Sequence, residues 1–202
     1  MNRSRIKAHF QYSWWIYLVI CAAVVVFWCS VFSHLAAPKA DEMLNITIVG
    51  DADGEKLSEE LQNALEGKTQ KPLREIHVEV VSPTNAMLAD IVAMRCLGET
   101  DLIIFEEDAL VTPVSSNFGP IDREQLKEYF PDAVLYEEEG ETFGMLLYDG
   151  ETDCHFSEYY SGDQSCWVFI TPCSENAAML NGKGTKENDT ALQAIQYLME
   201  KE

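Results

Sequence analysis

Positive charge is scarce in this chain. Its 202 residues hold 14 Lys and Arg against 34 Asp and Glu, and four of the basic residues fall in the first forty, where there is no acid. The ten that remain face all 34 acids, a net charge of −24 on the rest of the chain. Such a surface has no Lys/Arg patch with which to neutralise phosphates, so nucleic acid is not expected as a partner. It fits a solvated domain held away from a negative surface, or one with cationic partners. Histidine is scarce as well, and His77 falls in a strand pattern that suits a structural role. Nucleophile-elbow, P-loop, H-E-x-x-H and G-x-G-x-x-G motifs are all missing. No catalytic residue and no cofactor is therefore expected.

One long apolar run is present. Trp14 to Phe32 has no charged residue, and about 18 or more such residues can cross a bilayer as a helix. Trp14, Trp15, Tyr17 and Trp28 suit the interfacial belts. Arg3, Arg5 and Lys7 ahead of the run, against Lys39, Asp41 and Glu42 behind it, put the N-terminus in the cytoplasm and the remainder outside. The expectation is a cytoplasmic N-terminus at 1–12, a transmembrane helix at 13–34, a linker at 35–43 and an extracytoplasmic domain at 44–202 of a single-pass cell-membrane protein. A cleaved signal peptide is the rival, but its apolar region would be about 7–15 residues, and only a mediocre cleavage site lies near Ala37 or Ala40. Cys21 and Cys29 follow Ile20 and Trp28, not the small residue that lipidation prefers, and read as ordinary helix residues.

Beyond the anchor the chain is long enough for one domain with a proper core. Asn45 to Val49 is a β-branched run that ends at Gly50-Asp51. Leu57, Leu61, Ala64 and Leu65 mark one face of a helix over 55–65, stopped by Gly67. Gly50 to Gly54 lacks the acids of a calcium loop and reads as a turn feeding that helix. Ile76 to Val81 is a second strand. Thr84 or Asn85 then caps a helix to Leu97, and Asp101 to Phe105 is a continuous apolar strand buried on both faces. This β-α-β-α-β order implies parallel strands with helical crossovers. Ligands on such sheets bind at the C-terminal strand edge. Here that edge offers Gly50, Asp51, Ser82, Thr84, Asn85, Glu106 and Glu107. Asp51, Thr84, Asn85, Glu106 and Glu107 are the candidate ligand-binding residues.

The second half alternates less regularly. A loop at 111–120 precedes a short helix from Asp122 to Tyr129. Strands at 134–136 and 143–148 flank the acidic turn 137–141. A polar, turn-rich stretch spans 151–164. The strand 167–171, a short helix 174–180 and an amphipathic helix 189–199 follow. Cys96 sits in a helical pattern as a small apolar residue. Cys154, Cys166 and Cys173 cluster, and outside the cytoplasm one disulfide among them, Cys154–Cys166 or Cys154–Cys173, is the expectation. A zinc site from Cys154, His155, Cys166 and Cys173 lacks the paired C-x-x-C knuckles of strong sites, so no metal is assigned. Asn45-Ile-Thr47 and Asn188-Asp-Thr190 fit the glycosylation triplet, which matters only in a eukaryotic secretory pathway.

The segments NITIVG, IHVEVVS, GETDLIIFEED, FGPIDREQL, GETFGMLLYDG, CWVFITPCSENAAML and NDTALQAIQYLM, in this order, resemble the type 2 extracellular solute-binding proteins of ABC importers. The resemblance is one of pattern and order over most of 44–200. It implies a periplasmic-binding-protein-like fold: a single three-layer αβα lobe with a mostly parallel sheet, in which the late strand and last helix return to the lobe. The family needs about 300 residues for two lobes. In this chain, 151–165 holds only a short polar stretch where the second lobe would be inserted, and the lipid anchor common in the family is replaced by a helix. The implied function is non-catalytic binding of a small-molecule ligand or a membrane-protein partner. The alternatives are an envelope scaffold or sensor acting through protein contacts, favoured by an exposed aromatic patch near Trp167 or Tyr159-Tyr160, and a hydrolase using Glu106.

Overall fold

The computed structural model describes residues 3–36, 38–69, 73–96, 98, 100–110, 113–177 and 189–200. The chain divides into two compact units, Met1–Pro38 and Lys39–Glu202. The first is one helix, α1 (Arg3–Ala36). Its segment Trp14–Ser33 is 20 residues long with a mean hydropathy of 2.5, long and apolar enough to span a membrane. Large apolar side chains such as Val26, Phe27 and Leu35 stand exposed on it, which is compatible with a lipid environment.

The second unit runs β1 (Met43–Val49), α2 (Gly54–Leu65), β2 (Glu75–Val81), α3 (Leu88–Cys96), β3 (Leu102–Glu106), α4 (Arg123–Tyr129), β4 (Leu135–Glu138), β5 (Glu141–Tyr148), β6 (Cys166–Ile170) and α5 (Thr190–Met199). Two helix starts have a clear local cause. Asp53 accepts from Lys56 N at 3.2 Å to cap α2, and Asp122 accepts from Glu124 N and Gln125 N to cap α4. The helix expected from Asn85 begins later, at Leu88, because Asn85 Oδ1 accepts from Met87 N at 2.9 Å and holds an Asx turn. The helix expected at 174–180 is not formed over 174–177, and 178–180 lie outside the described residues.

All six strands form one sheet in the order β2-β1-β3-β6-β5-β4. β1 pairs in parallel with β2 and β3, whereas β3–β6, β6–β5 and β5–β4 are antiparallel. The sheet is therefore mixed and mostly antiparallel, which corrects the expectation of a mostly parallel one. Helical crossovers join only the first three strands. β4 and β5 form a hairpin whose turn holds Glu139 and Gly140 at positive φ, 55° and 89°. β6 then enters reversed along the free edge of β3. A short apolar run carries no mark of its direction, so WVFIT could not reveal this reversal in the sequence.

Alternation along the strands builds two cores. Leu102 and Ile104, Val168 and Ile170, and Met145 and Leu147 face one cluster together with Leu57 and Leu61 of α2, Leu126 of α4 and Ile195 of α5. Ile103, Phe105, Phe169 and Phe143 face the other with Val92 and Cys96 of α3, Val114 and Phe118. The second cluster is aromatic: Phe105, Phe118 and Phe169 pack with ring centroids 5.0–6.2 Å apart. Burying each such ring stabilises the fold by about 1.5–3 kcal/mol. β3, buried on both faces, is the centre of the domain.

Candidate functional site

The two ends of β3 differ in kind. At its entrance Asp101 is 6% exposed. One carboxylate oxygen accepts from Asn45 N at 2.9 Å and the other from the Ser174 hydroxyl at 2.7 Å. Asp101 N also donates to Asn45 O, and Thr171 N donates to Asp101 O. One acid thus ties the starts of β1 and β3 to the turn after β6. Burial raises its pKa above the ordinary 3.8, opposed by these hydrogen bonds. Asn45, which fits the glycosylation triplet, is a β1 residue whose backbone joins this network, and Asn188 lies outside the described residues.

At the exit of β3 stand the candidate ligand residues. Asp51 follows β1, and its carbonyl accepts from Ser161 N at 2.8 Å. Asp53 N donates to Tyr159 O at 2.8 Å, and Ala52 forms an antiparallel bridge with Tyr160. Residues 155–161 therefore fold back over the C-terminal edge of the sheet as a cap, started by a single 3-10 turn at His155–Glu158. The far foot of the cap is fastened to β3: Glu107 N donates to Ser165 O at 2.9 Å, and Gln164 Nε2 donates to Asp108 Oδ2 at 2.8 Å.

Beneath the cap the polar groups are poorly served. Glu106 Oε2 and the Tyr160 hydroxyl are both buried, and neither makes a well-formed hydrogen bond among the described residues, although the hydroxyl lies beside Glu106 and the Cys166 thiol. Tyr160 is 6% exposed. Burial, with Cys166 and Glu106 beside it, drives its hydroxyl far above the ordinary tyrosine range. Two glycines make the fit: a Cβ on Gly50 would lie 2.7 Å from Glu106 Oε2 and 3.3 Å from Tyr160 Cε2, and a Cβ on Gly162 would overlap the Tyr160 hydroxyl and ring. Buried polar atoms are almost always paired, so this end of the strand is built at a cost that the Asp101 end avoids.

The five candidate residues are only partly brought together. Asp51 and Glu106 both border the cap, and Glu107 is exposed beside it. Thr84 and Asn85 sit beyond β2, two strands from Glu106 or roughly 10 Å away. Their polar groups are spent locally, Thr84 on Ser82 Oγ at 2.9 Å and Asn85 on Met87 N. Sequence reading named Cys166 only as a disulfide or zinc candidate, and it missed Gly162 and the burial of Tyr160 because 151–164 read as a polar connection. The Tyr159-Tyr160 pair within it was the available signal, but Tyr160 is a buried plug and Tyr159 is half-buried, which is not the exposed patch that the scaffold reading would favour.

A groove of about 230 Å³ opens beside the cap, lined by Val134, Leu146, Leu147, Tyr148, Asp149, Thr152, Cys154 and Met199 among others. Asp51, Thr84 and Glu106 do not line it. Asp149 at its rim accepts from the Thr152 hydroxyl and from Thr152 N, both at 2.7 Å, and from Glu151 N, which holds its carboxyl down at about 2. Among the described residues no three His, Cys, Asp or Glu side chains are grouped to hold a metal ion. Cys173 lies beyond the end of β6 opposite to Cys166, so the four residues considered for zinc do not converge. No family model, no curated protein and no solved structure matches the chain.

Proposed function

We propose that this chain is a membrane-anchored binding domain that lies outside the cytoplasm, resembles one lobe of a type 2 solute-binding protein, and acts by reversible contact without chemistry. The observation that carries this reading is the strand order. β1, β2 and β3 form the parallel half expected of such a lobe, and the late β6 returns to pair at β3 in mid-sheet. Packing against both faces of the sheet supports a three-layer arrangement. The Lys/Arg bias around the apolar run supports the orientation.

The contact face is the C-terminal strand edge with its cap, where Asp51 and Glu107 are exposed and Glu106 is half-buried. Its occupant is a membrane-protein partner in preference to a small solute. One lobe cannot clamp a solute, and the cap's own Tyr160 fills the space over Gly50 and Glu106. A helix anchor would keep such a partner at high effective concentration. Photo-crosslinkers placed at Asp51 and Glu107 of the full-length protein in membranes should trap one discrete membrane-protein adduct, and one at Glu59 on α2 should not. No adduct from the edge positions, together with no thermal shift in a solute panel, would remove the proposal.

A further inference from the structure

The cysteines of the domain are sorted by the sheet. Cys166 opens β6, paired in register with Glu106 of β3 and Tyr148 of β5. Cys154 lines the groove beside Tyr148 and Leu147 and shares a buried cluster with Cys166. Both are buried free thiols in the structure, flanking the cap on either side, with Tyr148 as a shared neighbour. Cys173 is elsewhere. It follows the opposite end of β6, which at about 3.3 Å per residue sets it a full strand length from Cys166. There it sits 4.0 Å from the Cβ position of Gly98, near the end of α3. Of the two pairings left open by the sequence, the geometry disfavours Cys154–Cys173.

We propose that Cys154 and Cys166 are joined by a disulfide that fastens both feet of the cap, with Tyr160 inside the closed loop. The proposal rests on the reading that the domain lies outside the cytoplasm, since thiols inside are kept reduced. The bond forms by exchange with an oxidised dithiol protein. One cysteine thiolate attacks its disulfide to give a mixed disulfide, and the second thiolate displaces it. The oxidant leaves as a dithiol that carries the two electrons and the two protons of the cysteines. Burial pushes the Cys166 thiol up to about 12, so the folded protein holds little thiolate. Exchange therefore takes place before the segment packs, and the finished bond is shielded from reductants.

The test uses the full-length protein. Cells are quenched with N-ethylmaleimide before lysis, and the purified chain is digested without reductant for mass spectrometry. The expected product is a peptide linking Cys154 to Cys166 with neither residue carrying maleimide. Unfolding and refolding in reductant should also lower the melting temperature of the wild type to that of a C154A/C166A variant, which the same treatment should not move. Maleimide on both cysteines, or a Cys154–Cys173 link, overturns the proposal. Protease added to intact cells separates the causes. Free thiols in a protease-accessible domain overturn the pairing alone, and free thiols in a protected domain overturn the location with it.

Discussion

β3 begins and ends with an acid, and the protein treats the two in opposite ways. Asp101 is deeply buried with both oxygens hydrogen-bonded, and it joins three chain segments. Glu106 has a buried oxygen without a well-formed hydrogen bond, next to a tyrosine hydroxyl in the same condition. The first arrangement is what stability alone selects. The second spends stability at the sheet edge where α/β proteins place their ligands. The comparison fits a structural role for the entrance of the strand and, under the proposed function, a contact role for its exit.

Mutations at the two ends should separate these roles. The largest effect is expected from Asp101→Ala, which strands the Asn45 N–H and the Ser174 hydroxyl. Loss of about 2–4 kcal/mol in denaturant titration is expected, and a loss within error would break the comparison. Asp101→Asn keeps the shape and should respond to pH. The folded domain holds the Asp101 proton more tightly than the unfolded chain does, so folding takes up a proton and the stability contributed by this group falls as pH rises through the raised pKa. Melting curves of Asp101→Asn should therefore gain on the wild type as pH climbs from about 4 toward neutrality.

Gly162→Ala comes next. The added methyl meets the rigid Tyr160 ring, so a cost of about 1–3 kcal/mol is expected from overpacking, with greater protease sensitivity confined to 155–165. The smallest effect has the opposite sign. Tyr160→Phe removes a buried hydroxyl that lacks a well-formed hydrogen bond and should raise stability, by less than about 1 kcal/mol. A destabilised Tyr160→Phe protein would mean that the hydroxyl is paired, and the contrast with Asp101 would disappear.

The sequence made the ordered parts legible for physical reasons. β-branched runs at 45–49, 76–81 and 101–105 and the Leu57, Leu61, Leu65 spacing are local signals, and the strands and α2 lie where those signals place them. Strand direction after β3 is not a local property, and WVFIT reads the same either way. The site was half legible. Asp51 and Glu106 follow strands and were found by position. Tyr160 and Gly162 belong to a polar stretch whose role is set only by its pairing with 51–53. Thr84 and Asn85 were grouped with the site by strand order, but their turn consumes them.

The central claim is that the exit end of β3 is a capped, openable contact face while the entrance end is fixed scaffold. Amide hydrogen exchange resolved by residue tests it most directly, comparing Asp53 and Ser161, which bond to the cap, with Asp101 and Thr171 at the entrance. Local opening of the cap predicts that Asp53 and Ser161 exchange at least about tenfold faster, a difference of roughly 1.4 kcal/mol in opening free energy. Equal protection at the two ends would contradict it.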